Sequence, residues 1–269
     1  MAIRTDLAVE LYDKGEKKDD AEKSEKFIGN VKVTTLTSQD NKKYTTITVE
    51  NFTNERAADE AHIAIKGELG KYINTQETVL VIGIGNTAIT PDALGPKTAA
   101  RVLATRHIPQ KLVTEVGLTG LRSVAVLSPG VLGQTGVETK EIISALIEKT
   151  KPAAVLTIDA LAARDIKRLG TTIQITNTGI SPGSGVGNRR AEISETTMGV
   201  PVIALGVPTV VDAATLVYEL TGEENKDINM IVTPSDIDTL IDNASEVIAA
   251  AINCALHPEV DEEILLSCI

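Results

Sequence analysis

The chain predicts an α/β fold, a three-layer sandwich with a largely parallel central sheet, and three observations carry that expectation. From residue 78 onward, short runs rich in Val, Ile and Leu alternate with segments of helical periodicity, the pattern that produces parallel strands covered by helices on both faces. With 269 residues, 42% of them hydrophobic, the chain can bury one sizeable core. Aromatics make up only 2% and Trp is absent, so that core must be built from branched aliphatic side chains and Ala, as buried strands are.

The elements follow in order. Glu10 to Lys26 is a mixed-charge run that reads as a solvated segment. Val31 to Leu36 and Tyr44 to Val49, separated by Ser38-Gln-Asp-Asn-Lys42, read as a β-hairpin. Asn54 is positioned to cap a helix running to about Tyr72, with Ala58, Ala61, Ile65 and Leu69 on one face. Strands are expected at Thr78 to Ile84, Ser123 to Leu127, Ala153 to Ile158, Thr172 to Ile175, Pro201 to Leu205 and Met230 to Val232. Helices are expected at Pro96 to Arg106, Glu138 to Lys149 and Val211 to Leu220. A final helix follows Ser235 as its cap, and Ile237, Leu240, Ile241, Ala244, Val247, Ile248, Ala251 and Ile252 keep helical spacing along it.

Composition excludes several function classes. A net charge of -11 opposes binding to a phosphate backbone, so no direct nucleic-acid partner is expected. No opening signal segment is present, and no run approaches the ~18 apolar residues of a membrane span, which predicts a soluble intracellular protein. Two cysteines, Cys254 and Cys268, are too few for a disulfide framework or a zinc cluster, and neither metal nor cofactor is expected. The three histidines, His62, His107 and His257, all lie away from strand-end loops, and Ser184 lacks the Gly-x-Ser-x-Gly elbow of a serine hydrolase.

Two aspartates stand out. Asp92, in Thr-Pro-Asp-Ala-Leu-Gly-Pro96, and Asp159, in Thr-Ile-Asp-Ala-Leu-Ala-Ala-Arg164, each follow an apolar strand candidate. Ligands and catalytic groups gather at the carboxyl ends of such strands, and two carboxylates meeting there can share a proton as an acid/base pair. A helix cap remains the bland reading of Asp92, and a ligand of loop amides that of Asp159. Gly83-Ile-Gly-Asn-Thr-Ala88 is a poor dinucleotide fingerprint, since Ala88 replaces the third glycine. The loops Pro129 to Gly136 and Ser181 to Asn188 are equally glycine-rich. Gly85, Asn86, Gly133, Gly136, Gly183 and Gly185 are therefore candidates for contacting substrate or an oxyanion, and Arg164 or Lys97 for adding positive charge.

Taken in order, the motifs Ile3-Arg-Thr-Asp-Leu-Ala-Val-Glu10, Thr90 to Lys97, Pro129 to Thr139, Ile158 to Arg164, Pro182 to Asn188 and Pro201 to Ala213 resemble the germination protease family of endospore-forming bacteria. The resemblance implies an endopeptidase that degrades small acid-soluble spore proteins within the spore core, cytoplasmic in origin. It further implies a zymogen that removes its own N-terminus, a homotetramer, and catalytic aspartates at Asp92 and Asp159. It also implies a fold like that of hydrogenase-maturation endopeptidases, in the phosphorylase/hydrolase-like class. Family substrates are cut within a Thr-Glu-large apolar-Ala-Ser-Glu type of sequence, and Thr5-Asp-Leu-Ala-Val-Glu10 is a near copy. Self-cleavage is accordingly expected between Asp6 and Leu7. The corresponding divisions are a propeptide at 1–6, an N-terminal flap at 7–75, a peptidase core at 76–258 and a tail at 259–269. One departure from the family is a short connection, Thr221 to Asn229, before the Val-Thr-Pro strand. Two other readings stay open: a metal-assisted peptidase using the same carboxylates, and a non-catalytic peptide- or metal-binding homologue.

Overall fold

The computed structural model describes residues 4–15, 21–73, 76–115, 118–187, 190–223 and 228–268. Residues 1–3 of the expected propeptide, 16–20 of the charged run, Asn188 and residues 224–227 of the short connection lie outside the described residues. The strands are β1 (Ala21–Ile28), β2 (Val31–Ser38), β3 (Lys43–Thr48), β4 (Val79–Gly83), β5 (Val124–Leu127), β6 (Ala154–Ala163), β7 (Thr172–Thr176), β8 (Val202–Asp212) and β9 (Ile231–Val232). The longer helices are α2 (Glu55–Leu69), α3 (Leu94–Arg101), α6 (Thr139–Thr150), α8 (Ala213–Thr221) and α9 (Ile237–Leu256). Shorter ones are α1 (Ala8–Asp13), α4 (Gln110–Glu115), α5 (Leu132–Thr135), α7 (Glu195–Met198) and α10 (Glu262–Leu266).

The nine strands of the described residues form one sheet, in the order β1-β2-β3-β7-β8-β6-β4-β5, with β9 added to β8. The pairings among β5, β4, β6 and β8 are parallel, and those from β8 through β7, β3, β2 and β1 are antiparallel. The expectation of a largely parallel sheet therefore describes the half that carries the aspartates. The N-terminal hairpin, expected as a flap, extends the same sheet through the pairing of β3 with β7.

Alternation along each strand divides the core into two layers. Val79, Val81, Leu156 and Ile158 face α2 and α9. Leu80, Ile82 and Val155 face Ile143, Leu146 and Ile147 of α6. Helices thus cover both faces, as a three-layer sandwich requires. Asn54 caps α2 as expected, accepting the Ala57 N–H at 3.1 Å, and Asp212 caps α8 through the Thr215 N–H at 2.9 Å.

Several local expectations are corrected. β6 does not stop at Ile158 but runs to Ala163, so Asp159 lies within a strand. β8 likewise runs to Asp212, and α8 begins only at Ala213. Both extensions are mutual, since β6 and β8 stay paired from Val155/Val202 to Ala163/Val211, with one register shift after Leu161. α3 starts earlier than expected, at Leu94, and ends at Arg101. Asp236, not Ser235, occupies the N-cap position of α9. The charged run is not merely solvated: its start forms α1 with Glu10 buried, and its end forms the edge strand β1.

Candidate active site

Glycines bring the two aspartates together. A Cβ at Gly95 would collide with the carbonyl oxygens of Ile84 and Ile158, and one at Gly83 with the backbone of Gly95. The start of α3 is therefore seated directly on the ends of β4 and β6, an approach only residues without side chains permit. The turn Thr90–Asp92 precedes that helix, and Thr209 of β8 ties it down by donating its hydroxyl to the Pro91 carbonyl at 2.8 Å. Gly85 adopts φ +135°, and a Cβ there would meet the Asp92 carbonyl. The following N–H, of Asn86, donates to Asp92 Oδ2 at 2.9 Å. No side chain caps α3, so the cap reading of Asp92 does not apply.

Asp159 is 4% exposed and sits in register with Gly206 of β8. Its Oδ1 accepts the N–H of Ala160 at 2.9 Å. Both aspartates line one cleft of about 690 Å³, with Asn86, Gly133, Gly183 and Arg190 also on its wall. Burial pushes the Asp92 carboxyl up to about 6, against the pull of the Asn86 amide. Burial also holds Asp159 well above the usual carboxylate range, and the charges of Asp92 and Asp6 raise it further. Two carboxyls with raised proton affinities in one cleft, the charge of Asp92 disfavouring ionisation of Asp159, are a pair able to hold a single proton between them.

A third carboxylate enters from the N-terminus. Asp6 lines the same cleft, and its N–H donates to the Ala162 carbonyl at 2.9 Å. Its carboxylate accepts from the Ala162 N–H at 2.9 Å, from the Ser184 hydroxyl at 2.5 Å and from the backbone of Gly185. Leu7 is fully buried and packs with Val9, Leu161, Ala163 and Val211. The Glu10 carboxylate accepts the N–H groups of Arg164 and Asp165 at 2.8 and 2.9 Å, and the Thr5 hydroxyl. Residues 5–7 thus lie along the end of β6, and Ala8 to Glu10 begin α1 beside it.

The sequence model of the germination protease peptidase family matches residues 7–221. The chain belongs to the germination protease family. The germination protease of Clostridium tetani is 40% identical over 317 aligned positions, covering 98% of each chain. That of Caldanaerobacter subterraneus subsp. tengcongensis is 46% identical over 220 positions, covering 69% of this chain and 68% of its own. Among solved structures, a NiFe hydrogenase maturation protease, HycI from Thermococcus kodakarensis KOD1, matches with a TM-score of 0.41 at 18% identity, over 69% of this chain and 98% of that one. The Clostridium tetani alignment is longer than the 269 residues of this chain, so that relative carries residues absent here. Family membership makes the chain a peptidase of spore germination.

The other sequence candidates of this germination protease family member separate by position. Gly85, Asn86, Gly133 and Gly183 line the cleft, and Gly185 contacts the Asp6 carboxylate so closely that a Cβ there would collide with it. Gly136 ends α5 in the left-handed conformation at φ 70° and is not on the cleft wall. Arg164 donates from Nε to Glu219 at 2.5 Å, and Lys97 pairs with Asp242 of α9 at 2.6 Å. Neither cation lines the cleft; Arg190, two positions after the glycine-rich loop in sequence, does. Sequence reasoning also passed over Gln134, which donates to Asn86 Oδ1 at 2.7 Å, and over Gln174 and Ser184 as contacts of the N-terminal segment. An Asp-to-amide contact across 168 residues leaves no local pattern. No helix of the described residues is long and apolar enough to cross a membrane. Away from the cleft, His62, Cys254 and Glu262 lie within 4.8 Å of one another. Glu262 is engaged there by His62 and Lys66, and burial pushes the Cys254 thiol up to about 11, so it keeps its proton.

Proposed function

We propose that the chain is an aspartate-dyad endopeptidase, made as a zymogen, that cuts small acid-soluble spore proteins after an acidic residue and before a large apolar one. The single observation that supports this reading most is the seating of Asp6 in the cleft that Asp92 and Asp159 line. One aspartate of the pair takes a proton from the attacking water while the other protonates the carbonyl oxygen or the leaving amine. Their raised affinities for protons suit one ionised and one neutral carboxyl over a common pH range.

In this reading, residues 5–10 imitate substrate and the bond between Asp6 and Leu7 is the one removed on maturation. The acid at Asp6 and the acid four residues later, Glu10, both meet backbone N–H donors, which matches the acidic residues at the two corresponding places in the family's cleavage sequence. The working protein is proposed to be a homotetramer of the spore core. The decisive experiment incubates the purified chain with a small acid-soluble spore protein and maps fragments by mass spectrometry, alongside N-terminal sequencing of the matured enzyme. Cuts after Glu before an apolar residue, and a new N-terminus at Leu7, are expected; intact substrate, or a mature chain starting elsewhere, would remove the reading.

A further inference from the structure

Gln174 of β7, Gly206 of β8 and Asp159 of β6 stand in one row across the sheet, because Gly206 is the register partner of both neighbours. Residues directly opposite in adjacent strands project from the same face, and two strand spacings put Gln174 and Asp159 about 10 Å apart. Ile173 and Ile175, on either side of Gln174, face the α2 and α9 layer, so Gln174 faces the side of the cleft. The middle place is empty of side chain by necessity: a Cβ at Gly206 would collide with Leu161 and with the Asp159 carbonyl.

The Asp6–Leu7 peptide is held at this row. The Gln174 side-chain amide donates from Nε2 to the Asp6 carbonyl oxygen at 2.9 Å and accepts the Ala8 N–H on Oε1 at 2.8 Å. One amide group therefore spans Leu7, from the carbonyl oxygen of the Asp6–Leu7 peptide to the N–H of the peptide that follows. Asp6 and Leu161 are shared by two cavities, the one lined by the dyad and a second of about 500 Å³ lined by Gln174 and Ser184. The segment runs along the partition between them. Beside Gln174 in that second cavity, the Ser184 hydroxyl meets the Asp6 carboxylate, which the amides of Ala162 and Gly185 also meet.

We infer that Gln174 is the positioning residue for the peptide to be cut, and that Ser184 is a specificity residue that reads the acid preceding it. This assignment rests on the peptidase reading above and names the groups that would serve it. An amide N–H on the carbonyl oxygen polarises that group and continues to donate as the oxygen gains charge. Its fixed partner on the far side, the Ala8 N–H, keeps the peptide from sliding along β6. Ser184 adds a hydroxyl donor that an uncharged side chain at the same place would use less well, since hydrogen bonds to ionised acceptors are the stronger ones.

The test follows release of residues 1–6 from the full chain by intact mass, in the unaltered protein and in Gln174→Glu, Gln174→Met and Asp159→Asn. Gln174→Glu keeps the side-chain length and the acceptor for Ala8 but loses the amide donor, so release should slow on the order of 100-fold. Gln174→Met removes both the donor to Asp6 and the acceptor for Ala8 without adding charge, and circular dichroism melts confirm that each variant is folded. In parallel, processed enzyme and its Ser184→Ala variant are offered Thr-Glu-Leu-Ala-Ser-Glu and Thr-Gln-Leu-Ala-Ser-Glu peptides. The preference in kcat/KM for the acid over the amide should fall roughly 10-fold in Ser184→Ala. Release at the unaltered rate in both folded Gln174 variants, or a Glu peptide cut by Ser184→Ala with unaltered kcat/KM, overturns the inference while leaving the peptidase reading intact. If the unaltered chain never cuts the Asp6–Leu7 bond, the peptidase reading fails first and takes this assignment with it.

Discussion

β4, β6 and β8 are buried along nearly their whole length, whereas β1, at the opposite side of the sheet, is exposed at six of its eight positions. The first group runs parallel and is covered by helices on both faces; the second is an antiparallel ribbon whose outer edge meets solvent. In the parallel region, glycine replaces side chains where a helix must touch strand ends, and the carboxylates that result are desolvated and hold their protons tightly. In the ribbon, charge serves a different end. Lys26 of β1 reaches Glu68 of α2 at 2.6 Å, and Lys23 and Lys32 flank Glu25, so the edge is studded with ions that discourage pairing with another chain. Chemistry is concentrated where burial makes ionisation costly, and tolerance where water screens it. β8 is the seam, parallel to β6 on one side and antiparallel to β7 on the other.

The strongest way to break this comparison is at the dyad. Asp92→Asn or Asp159→Asn should each lower kcat for peptide cleavage by about 10²- to 10⁴-fold, the range of a lost general acid or base; near-normal turnover by either would remove the proton-sharing pair. In the unaltered enzyme the rate should rise with pH through about 6, where Asp92 is half ionised. It should fall again at higher pH as the pair loses its shared proton, and the two limbs belong to the pair jointly.

At the seam, Gly206→Ala places a methyl group against Leu161 and the Asp159 backbone. Overpacking of this kind should cost about 1–3 kcal/mol in urea unfolding, with a loss of activity because the backbone that must shift carries Asp159. A folded, fully active Gly206→Ala protein would show that the row across β7, β8 and β6 has slack.

Asp92→Asn sharpens the comparison through stability. The folded-state value of Asp92 lies above the ordinary carboxylate value of 3.8, so its contribution is fully present below pH 3.8 and is lost as pH rises through about 6. Ionisation thus opposes folding at neutral pH, and Asn avoids it. After a discount for partial exposure, the variant should be more stable than the parent by roughly 1–2 kcal/mol at pH 7.5, with the gap closing below pH 4. Equal melting temperatures at both pH values would place the carboxylate in a more solvated setting than its burial indicates.

The smallest effect belongs to the edge. Phe27, 66% exposed on β1, should accept Thr with a change within about 0.5 kcal/mol. A large loss would mean that the edge is covered in the working assembly, and would bring the ribbon closer in kind to the core.

Much of the fold was legible in local pattern. The alternation of strands and helices, the Asn54 cap and the amphipathic α9 all rest on interactions within a few residues, which periodicity reports directly. Asp92 and Asp159 were legible as a candidate pair because each followed an apolar run, although the cues underestimated β6 and β8. Strand length depends on what lies alongside: β6 and β8 prolong each other through their pairing, and the Asp159 and Asp6 carboxylates take the Ala160 and Ala162 amides. The buried Glu10 was likewise hidden inside a run of charges, since its partners, the amides of Arg164 and Asp165, are more than 150 residues away.

The order of residues alone determined an aliphatic α/β core, a set of glycine turns and two acids after apolar runs, because each depends on neighbours in the chain. Only the tertiary structure decided that the hairpin joins the main sheet, that Lys97 and Arg164 turn to other acids, and that Gln174 stands in line with Asp159. Those outcomes depend on register between strands distant in sequence, where a shift of one residue would send every side chain to the opposite face.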